Sequence, residues 1–103
     1  MDQVTVLYNH PENTAAFDEH YRETHAPLAA KLPGLKRYTA CWTGPSPDGS
    51  PAPHHLVATL YFDSPEAFGA AFSGPEGQAA QADIANFAGA GLTILTGEAE
   101  TFV

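Results

Sequence analysis

Hydrophobic and polar positions alternate most regularly between His55 and Phe62. The even-numbered positions of this segment are apolar: Leu56, Ala58, Leu60 and Phe62. The odd-numbered positions would face the other way: His55, Val57, Thr59 and Tyr61. Successive side chains of a strand point to opposite sides of a sheet, so this period of two predicts a strand over 55–62. Because the second face is also largely apolar, we expect that it is covered too.

Three further segments are rich in β-branched and aromatic residues and predict strands at 4–8, 35–43 and 92–101. Helices are predicted at 14–32 and 65–87, with Asn13 and Ser64 as their capping residues. Gly74-Pro75 should interrupt the second helix, and the proline-rich stretch 44–53 should form an exposed loop. The order β-α-β-β-α-β is that of a ferredoxin-like α+β fold, a four-stranded antiparallel sheet with both helices on one face.

The first helix carries an aromatic residue or a histidine every fourth position, at Phe17, Tyr21 and His25. This spacing places the three side chains on one face. Ala26 precedes Pro27, and a residue before proline is disfavoured in helical geometry. We therefore expect the helix to stop at about His25 and Pro27 to open a second short turn. The imidazole of His25 would then end an otherwise apolar face.

Length and charge narrow the classes of function. A chain of 103 residues predicts one domain, 1–103. Its formal charge of −8 disfavours nucleic acid and anionic membranes as partners. We find no apolar run long enough to span a membrane and no signal-peptide pattern, and Cys41 is the single cysteine. These features predict a cytoplasmic protein without an internal disulfide, in which Cys41 is a buried strand residue.

His25 is the first candidate for chemistry, because a titratable ring on an apolar face can serve as a general acid or base. Tyr21, one turn earlier, could donate a hydrogen bond to a substrate oxygen. The structural alternatives are a histidine that caps carbonyl groups and a core tyrosine with its hydroxyl at the rim. Neither alternative is excluded by the sequence.

Four other residues are candidates for a substrate-binding wall, with plain core packing as the alternative: Phe17, Trp42, His55 and Tyr61. No metal site is predicted, because His20 and His25 are five positions apart and would point about 140° away from each other around an α-helix. The chain lacks glycine-rich nucleotide motifs and cysteine clusters. We therefore expect no cofactor.

A series of short motifs spans nearly the whole chain. The first is Phe17-x-x-x-Tyr21-x-x-x-His25-x-Pro27-Leu28, and the others are Leu32-Pro33-Gly34-Leu35, Tyr38, Asp48–Pro53, His55–Ala58, Tyr61–Ser64, Ser73–Gln78 and Asn86-Phe87. This set resembles the EthD family, named after ethyl tert-butyl ether degradation. The resemblance implies a dimeric α+β barrel and a histidine at position 25. It agrees with the apolar second face of the sheet, which a second copy of the chain would cover.

The hypothesis that follows is a homodimeric enzyme or auxiliary enzyme of small-molecule catabolism or polyketide-type metabolism. Proton transfer by His25, assisted by Tyr21, would isomerise, cyclise or decarboxylate a small apolar carbonyl or phenolic compound. The resemblance to the wider superfamily implies these reaction types; the residues alone do not. The alternatives are a non-catalytic binding protein for an apolar metabolite and a purely structural dimer module. A polar partner beside His25 would favour the enzyme, and a fully packed core would favour the structural module.

Overall fold

A computed structural model describes residues 1–103 and contains a single sheet of four strands. The strands are β1 (Asp2–Tyr8), β2 (Arg37–Trp42), β3 (Leu56–Phe62) and β4 (Leu92–Glu98). They lie in the order β2-β3-β1-β4, and every neighbouring pair is antiparallel. The predicted ferredoxin-like α+β fold is confirmed. Strands β2 and β4 are shorter than predicted, and β1 begins two residues earlier than predicted.

One face of the sheet carries the core. The even-numbered residues of β3 are all buried, and they lie opposite Tyr8, Val6, Val4 and Asp2 of β1. On β2, Tyr38, Ala40 and Trp42 share this face, which the helices cover. Cys41 lies on the other face and is exposed within one chain, so the prediction that it is buried was wrong for the single chain.

The helices are α1 (Thr14–His20), a π-helical segment (Tyr21–His25), α2 (Ala26–Ala29), α3 (Pro65–Ser73) and α4 (Pro75–Ile84). Both predicted capping residues are confirmed. The side-chain oxygen of Asn13 accepts a hydrogen bond from the Ala16 amide at 3.0 Å, and that of Ser64 accepts one from the Ala67 amide at 3.1 Å. None of these helices has the length and apolar character needed to cross a lipid bilayer.

The predicted break at Ala26 was wrong. Ala26 has helical backbone angles, φ −60° and ψ −43°, and the chain continues from α1 through the π-helical segment into α2. In an α-helix the ring of Pro27 would collide with a carbonyl group one turn earlier. The wider turn before the proline, in which the Ala26 amide bonds to the Tyr21 carbonyl five residues back, lets the helix continue.

Gly77 lets α4 start against the end of α3. A Cβ atom at this position would lie 2.3 Å from the carbonyl oxygen of Phe72 and 2.4 Å from that of Ala71. Because backbone atoms cannot move aside as a side chain can, only glycine fits here. This contact sets the position of α4, which carries Asp83 to His20 and His25 and places Ile84 over the sheet.

We expect Gly77→Ala to lower the free energy of unfolding by about 1–3 kcal/mol, the usual range for overpacking. Urea unfolding measures the effect. Gly69→Ala is the matched control, because Gly69 lies within α3 and a Cβ there would meet nothing within 4 Å. The control should be neutral or gain up to about 1 kcal/mol from helix propensity. Equal stability of the two variants would show that the α3–α4 junction is not tight.

Candidate functional site

A cavity of about 60 Å³ lies between the sheet and the helices. We call it the inner cavity. Its wall is mostly aliphatic and aromatic, with polar groups supplied by Tyr8, Tyr21, His25, Tyr38 and Gln81. It opens beside β4, since Ile94 contributes to the wall and is nevertheless 42% exposed. A cavity is therefore present between the sheet and the helices, and both His25 and Tyr21 line it.

Tyr21 does not act alone, because its hydroxyl lies 2.5 Å from that of Tyr38 on β2. Sequence reasoning missed Tyr38 as a site residue, although it is part of the family-like pattern. Burial raises the pKa of both phenols, and that of Tyr8 as well. All three tyrosines consequently stay protonated near neutral pH and can serve as hydrogen-bond donors.

His25 is buried, and its Nδ1 lies 3.1 Å from Oδ2 of Asp83. A carboxylate only accepts hydrogen bonds, so Nδ1 carries the proton and Nε2 is left with a free lone pair. Burial lowers the pKa of His25 and outweighs the opposing effect of Asp83. The ring is therefore held as a neutral base at the cavity wall.

His20 also binds Asp83, with Nε2 at 2.8 Å from Oδ1 and 3.0 Å from Oδ2. The expectation that His20 and His25 point far apart was wrong. In the π-helical segment hydrogen bonds span five residues instead of four, and this wider turn brings residues five apart closer to the same side of the helix. The geometry is nevertheless that of hydrogen bonding, and no group of three or more metal-binding side chains converges on a point.

Asp83 on α4 is the residue that joins these groups, and no prediction named it. It is buried and also accepts a hydrogen bond from Asn86 Nδ2 at 3.0 Å. Burial would raise its pKa, but the hydrogen bonds from Asn86, His20 and His25 prevail and lower it. The available signal was an acid near the end of an alanine-rich helix, which by itself is typical of a solvated position.

Three of the predicted wall residues lie together outside the inner cavity. Asp18 accepts hydrogen bonds from Trp42 Nε1 and His55 Nε2, each at 2.8 Å. The His55 ring packs edge-on against Phe17, with 5.1 Å between ring centroids. His55 precedes β3 and turns towards α1, so the alternation predicted from the strand pattern does not extend to it.

Two open depressions flank the inner cavity. The outer groove is lined by Pro11, Glu12, Asn13, Ala16, Phe17, His20, Asn86, Phe87, Gly89 and Ala90. The second depression lies along β2 and includes Trp42, Tyr21 and Tyr38. The structure thus brings His25 and Tyr21 to the inner cavity and leaves Phe17, Trp42 and His55 beside it. Tyr61 faces the opposite side of the sheet, paired with Arg37 and Gln3.

The model of the protein family described as the EthD domain matches residues 9–91. The chain belongs to the EthD family. This EthD protein is 48% identical to an uncharacterised 11.0 kDa protein encoded in the thcB-thcC intergenic region of Rhodococcus erythropolis, over 98% of this chain and 97% of the other. The crystal structure of an EthD family protein from Bacillus halodurans is similar with a TM-score of 0.91 and 39% identity, covering 97% of this chain and 99% of that one.

More distant structures share the fold of this EthD protein. A dimeric ferredoxin-like protein from Thermobifida fusca has a TM-score of 0.68 at 20% identity, covering 92% of this chain and 87% of that one. SnoaB, described as a cofactor-independent oxygenase from Streptomyces nogalater, has a TM-score of 0.65 at 20% identity, covering 98% and 94%. At this level of identity the likeness concerns the fold alone.

The buried, neutral His25 predicts a pH dependence of stability. Burial lowers the pKa of His25 in the folded state, whereas the unfolded chain has the ordinary histidine value of about 6.5. Below that value the unfolded state binds a proton that the folded state does not, so the free energy of unfolding falls as the pH falls towards the folded-state pKa. The free energy of unfolding of the EthD protein should accordingly decrease between pH 7 and pH 5. Asp83 adds a further loss only below about pH 4, because its pKa is lowered from the ordinary carboxyl value.

Urea unfolding of the wild type and of His25→Asn at both pH values isolates the histidine contribution. The variant should depend less on pH than the wild type. His10→Asn, at an exposed histidine whose ring bonds to the Ala52 carbonyl, is the control and should follow the wild type. If His25→Asn retains the full pH dependence, His25 is not held neutral by the fold.

Proposed function

We propose that this EthD protein is an enzyme of small-molecule catabolism or polyketide-type metabolism that moves a proton on a small apolar carbonyl or phenolic compound. The observation that carries the proposal is that a base and hydrogen-bond donors line the same cavity. A histidine oriented by a buried carboxylate and a pair of tyrosine hydroxyls line the same apolar cavity. A base and a hydrogen-bond donor facing one space are the minimum that this chemistry needs.

The base is His25. Its Nδ1–H donates to Asp83, which stabilises the tautomer with a free lone pair on Nε2 and stabilises the imidazolium that forms. Nε2 removes a proton from the carbon next to the substrate carbonyl. The C–H bond breaks, an N–H bond forms, and the electron pair moves onto the carbonyl oxygen. Return of the proton to another carbon would give an isomer.

The developing oxyanion would be stabilised by the tyrosine pair. Tyr21 and Tyr38 have two hydroxyl protons, and only one of them lies in the hydrogen bond between the two oxygens. The second is free to donate to a substrate oxygen. Because the surrounding wall is apolar, such a hydrogen bond is stronger than it would be in water. The raised pKa of both phenols keeps the donor protonated throughout.

The size of the inner cavity limits what it admits. At about 60 Å³ the inner cavity is small beside typical ligand pockets, which measure roughly 300–1,000 Å³. Only the reacting end of a substrate fits, and the rest of the molecule would extend through the opening beside Ile94. An apolar substrate suits this cavity, because Ile84 on α4 and Ile94 on β4 both line it. SnoaB, a cofactor-independent oxygenase of the same fold, supports chemistry that needs no cofactor.

A non-catalytic binding protein for an apolar metabolite is the second candidate. The observation in its favour is the mostly apolar cavity wall. The buried carboxylate behind His25 favours the enzyme, because binding an apolar molecule requires no oriented base. The cavity itself counts against a purely structural module, whose core would be filled by side chains.

Exchange of α-protons for deuterium in simple ketones tests the proposal without knowledge of the natural substrate. Acetone and cyclohexanone are incubated with the protein in D₂O and followed by proton NMR. We expect the wild type to accelerate exchange and His25→Asn to lose roughly 100-fold of that rate, the usual scale of general base catalysis. The control is again His10→Asn, which should exchange protons at the wild-type rate.

Phenol, which resembles an enol in shape and acidity, reports binding in the same experiment. Phenol binding that perturbs the His25 ring signals without any ketone exchange would contradict the enzyme and support the binding protein. Exchange that survives in His25→Asn would show that another group is the base.

We further propose that the protein acts as a homodimer whose second copy covers the outer face of the sheet. This face carries Leu7, Val57, Tyr61 and Leu95, of which Leu95 is 52% exposed in the single chain. Exposed apolar patches of this kind mark interaction sites. The description of the Thermobifida fusca protein as dimeric supports the same arrangement.

We expect Val57→Asp to convert the dimer into monomer or aggregate, because it places an unpaired charge at the centre of the covered face. Sedimentation velocity at micromolar concentration measures the change. Ala79→Asp, which adds the same charge at an exposed position of α4, should remain dimeric. A folded wild-type monomer at that concentration would end the dimer proposal.

A further inference from the structure

Two histidines share one carboxylate in this site, although only one of them faces the inner cavity. His20 contacts both oxygens of Asp83, at 2.8 and 3.0 Å, whereas His25 contacts one oxygen at 3.1 Å. The carboxylate carries a single negative charge. It can therefore compensate one imidazolium fully, and a second positive charge would meet the first across the same carboxylate.

The two rings face different spaces. His25 lines the inner cavity, and its side chain is 7% exposed. His20 lines the outer groove, and its side chain is 27% exposed. Asp83 lines neither space and lies between the rings. A proton on His20 keeps part of its hydration, whereas a proton on His25 would place a charge against an apolar wall.

We infer that His20 is a positioning residue for His25: it takes the first proton available to the pair, neutralises the Asp83 carboxylate from the solvent side, and leaves His25 as an uncharged base at the cavity. The role in a reaction rests on the proposed function. The coupling between the two rings does not, and it can be measured without a substrate.

The other groups around the pair leave Asp83 as the charge in contact with both rings. Tyr21 packs against His25 with 5.4 Å between ring centroids, and burial keeps its phenol protonated. Tyr8 on β1 is likewise a protonated phenol. Asn86 contributes a neutral amide, and Glu12, in the segment before α1, is exposed at the outer groove.

Phe87 closes the remaining side, because it packs against both rings at centroid distances of 5.2 Å from His20 and 4.7 Å from His25. Its apolar ring excludes water from the space between the two imidazoles. A charge on His20 therefore acts on His25 with little screening by solvent. The pKa of His25 is lowered first by burial, and His20 contributes in the same direction.

His20→Gln tests the inference in the intact protein. The glutamine amide can still donate to Asp83 but carries no charge. With Asp83 uncompensated, we expect the titration midpoint of His25 to move to higher pH by about half a unit or more. Ring-nitrogen NMR of ¹⁵N-histidine-labelled protein measures it. His10→Gln, which removes an exposed histidine that makes no hydrogen bond to Asp83, is the matched control and should leave the midpoint unchanged.

Asp83→Asn should move the His25 midpoint in the opposite direction, because it removes the charge that favours the imidazolium. An unchanged His25 midpoint in His20→Gln would overturn the inference. So would a wild-type titration in which His25 is protonated before His20. In the pH–rate profile of ketone exchange, His20→Gln should move the acidic limb to higher pH by the same amount as the titration midpoint of His25. If no exchange occurs but the NMR midpoints move, the proposed function fails and the coupling stands.

Discussion

The buried carboxylate of Asp83 is the interaction on which the rest of the site depends. An ionised carboxylate without partners in a protein interior costs several kcal/mol, so it must be surrounded by donors. His20, His25 and Asn86 supply them. Because α4 packs on α2, α3 and the π-helical segment, these hydrogen bonds also hold α4 against the helices of the N-terminal half. The inner cavity lies beneath that junction.

The π-helical segment makes the junction geometrically feasible. Pro27 cannot complete an ordinary α-helical turn, and the chain widens by one residue before it. That extra residue turns His20 towards the side on which His25 lies. An uninterrupted α-helix would point the two rings apart, and Asp83 would lose the hydrogen bond from His20. A local backbone constraint thus decides which histidines meet the carboxylate.

Neutral donors and a neutral base face an apolar space in a strongly acidic chain. The formal charge is −8, yet burial keeps Tyr8, Tyr21 and Tyr38 protonated and His25 uncharged. A cavity without fixed charge admits apolar molecules and strengthens each hydrogen bond made inside it. The single negative charge lies behind the histidine, where it stabilises the imidazolium that proton transfer would create.

The sequence by itself determined the strands, both helix caps, the Phe17–Tyr21–His25 face and the family, because these follow from local periodicity, capping chemistry and short motifs. It also placed His25 and Tyr21 on the buried side of the helix. The tertiary structure alone decided that Asp83, 58 positions beyond His25, supports the ring, and that Tyr38 pairs with Tyr21. Such partners depend on how α4 and β2 dock, and a carboxylate in an alanine-rich helix has the same local pattern whether it is solvated or buried. The rule for residues before proline describes a local preference that the continuous helix here overcame, because Ala26 stays helical and the wider π-helical turn accommodates the ring of Pro27.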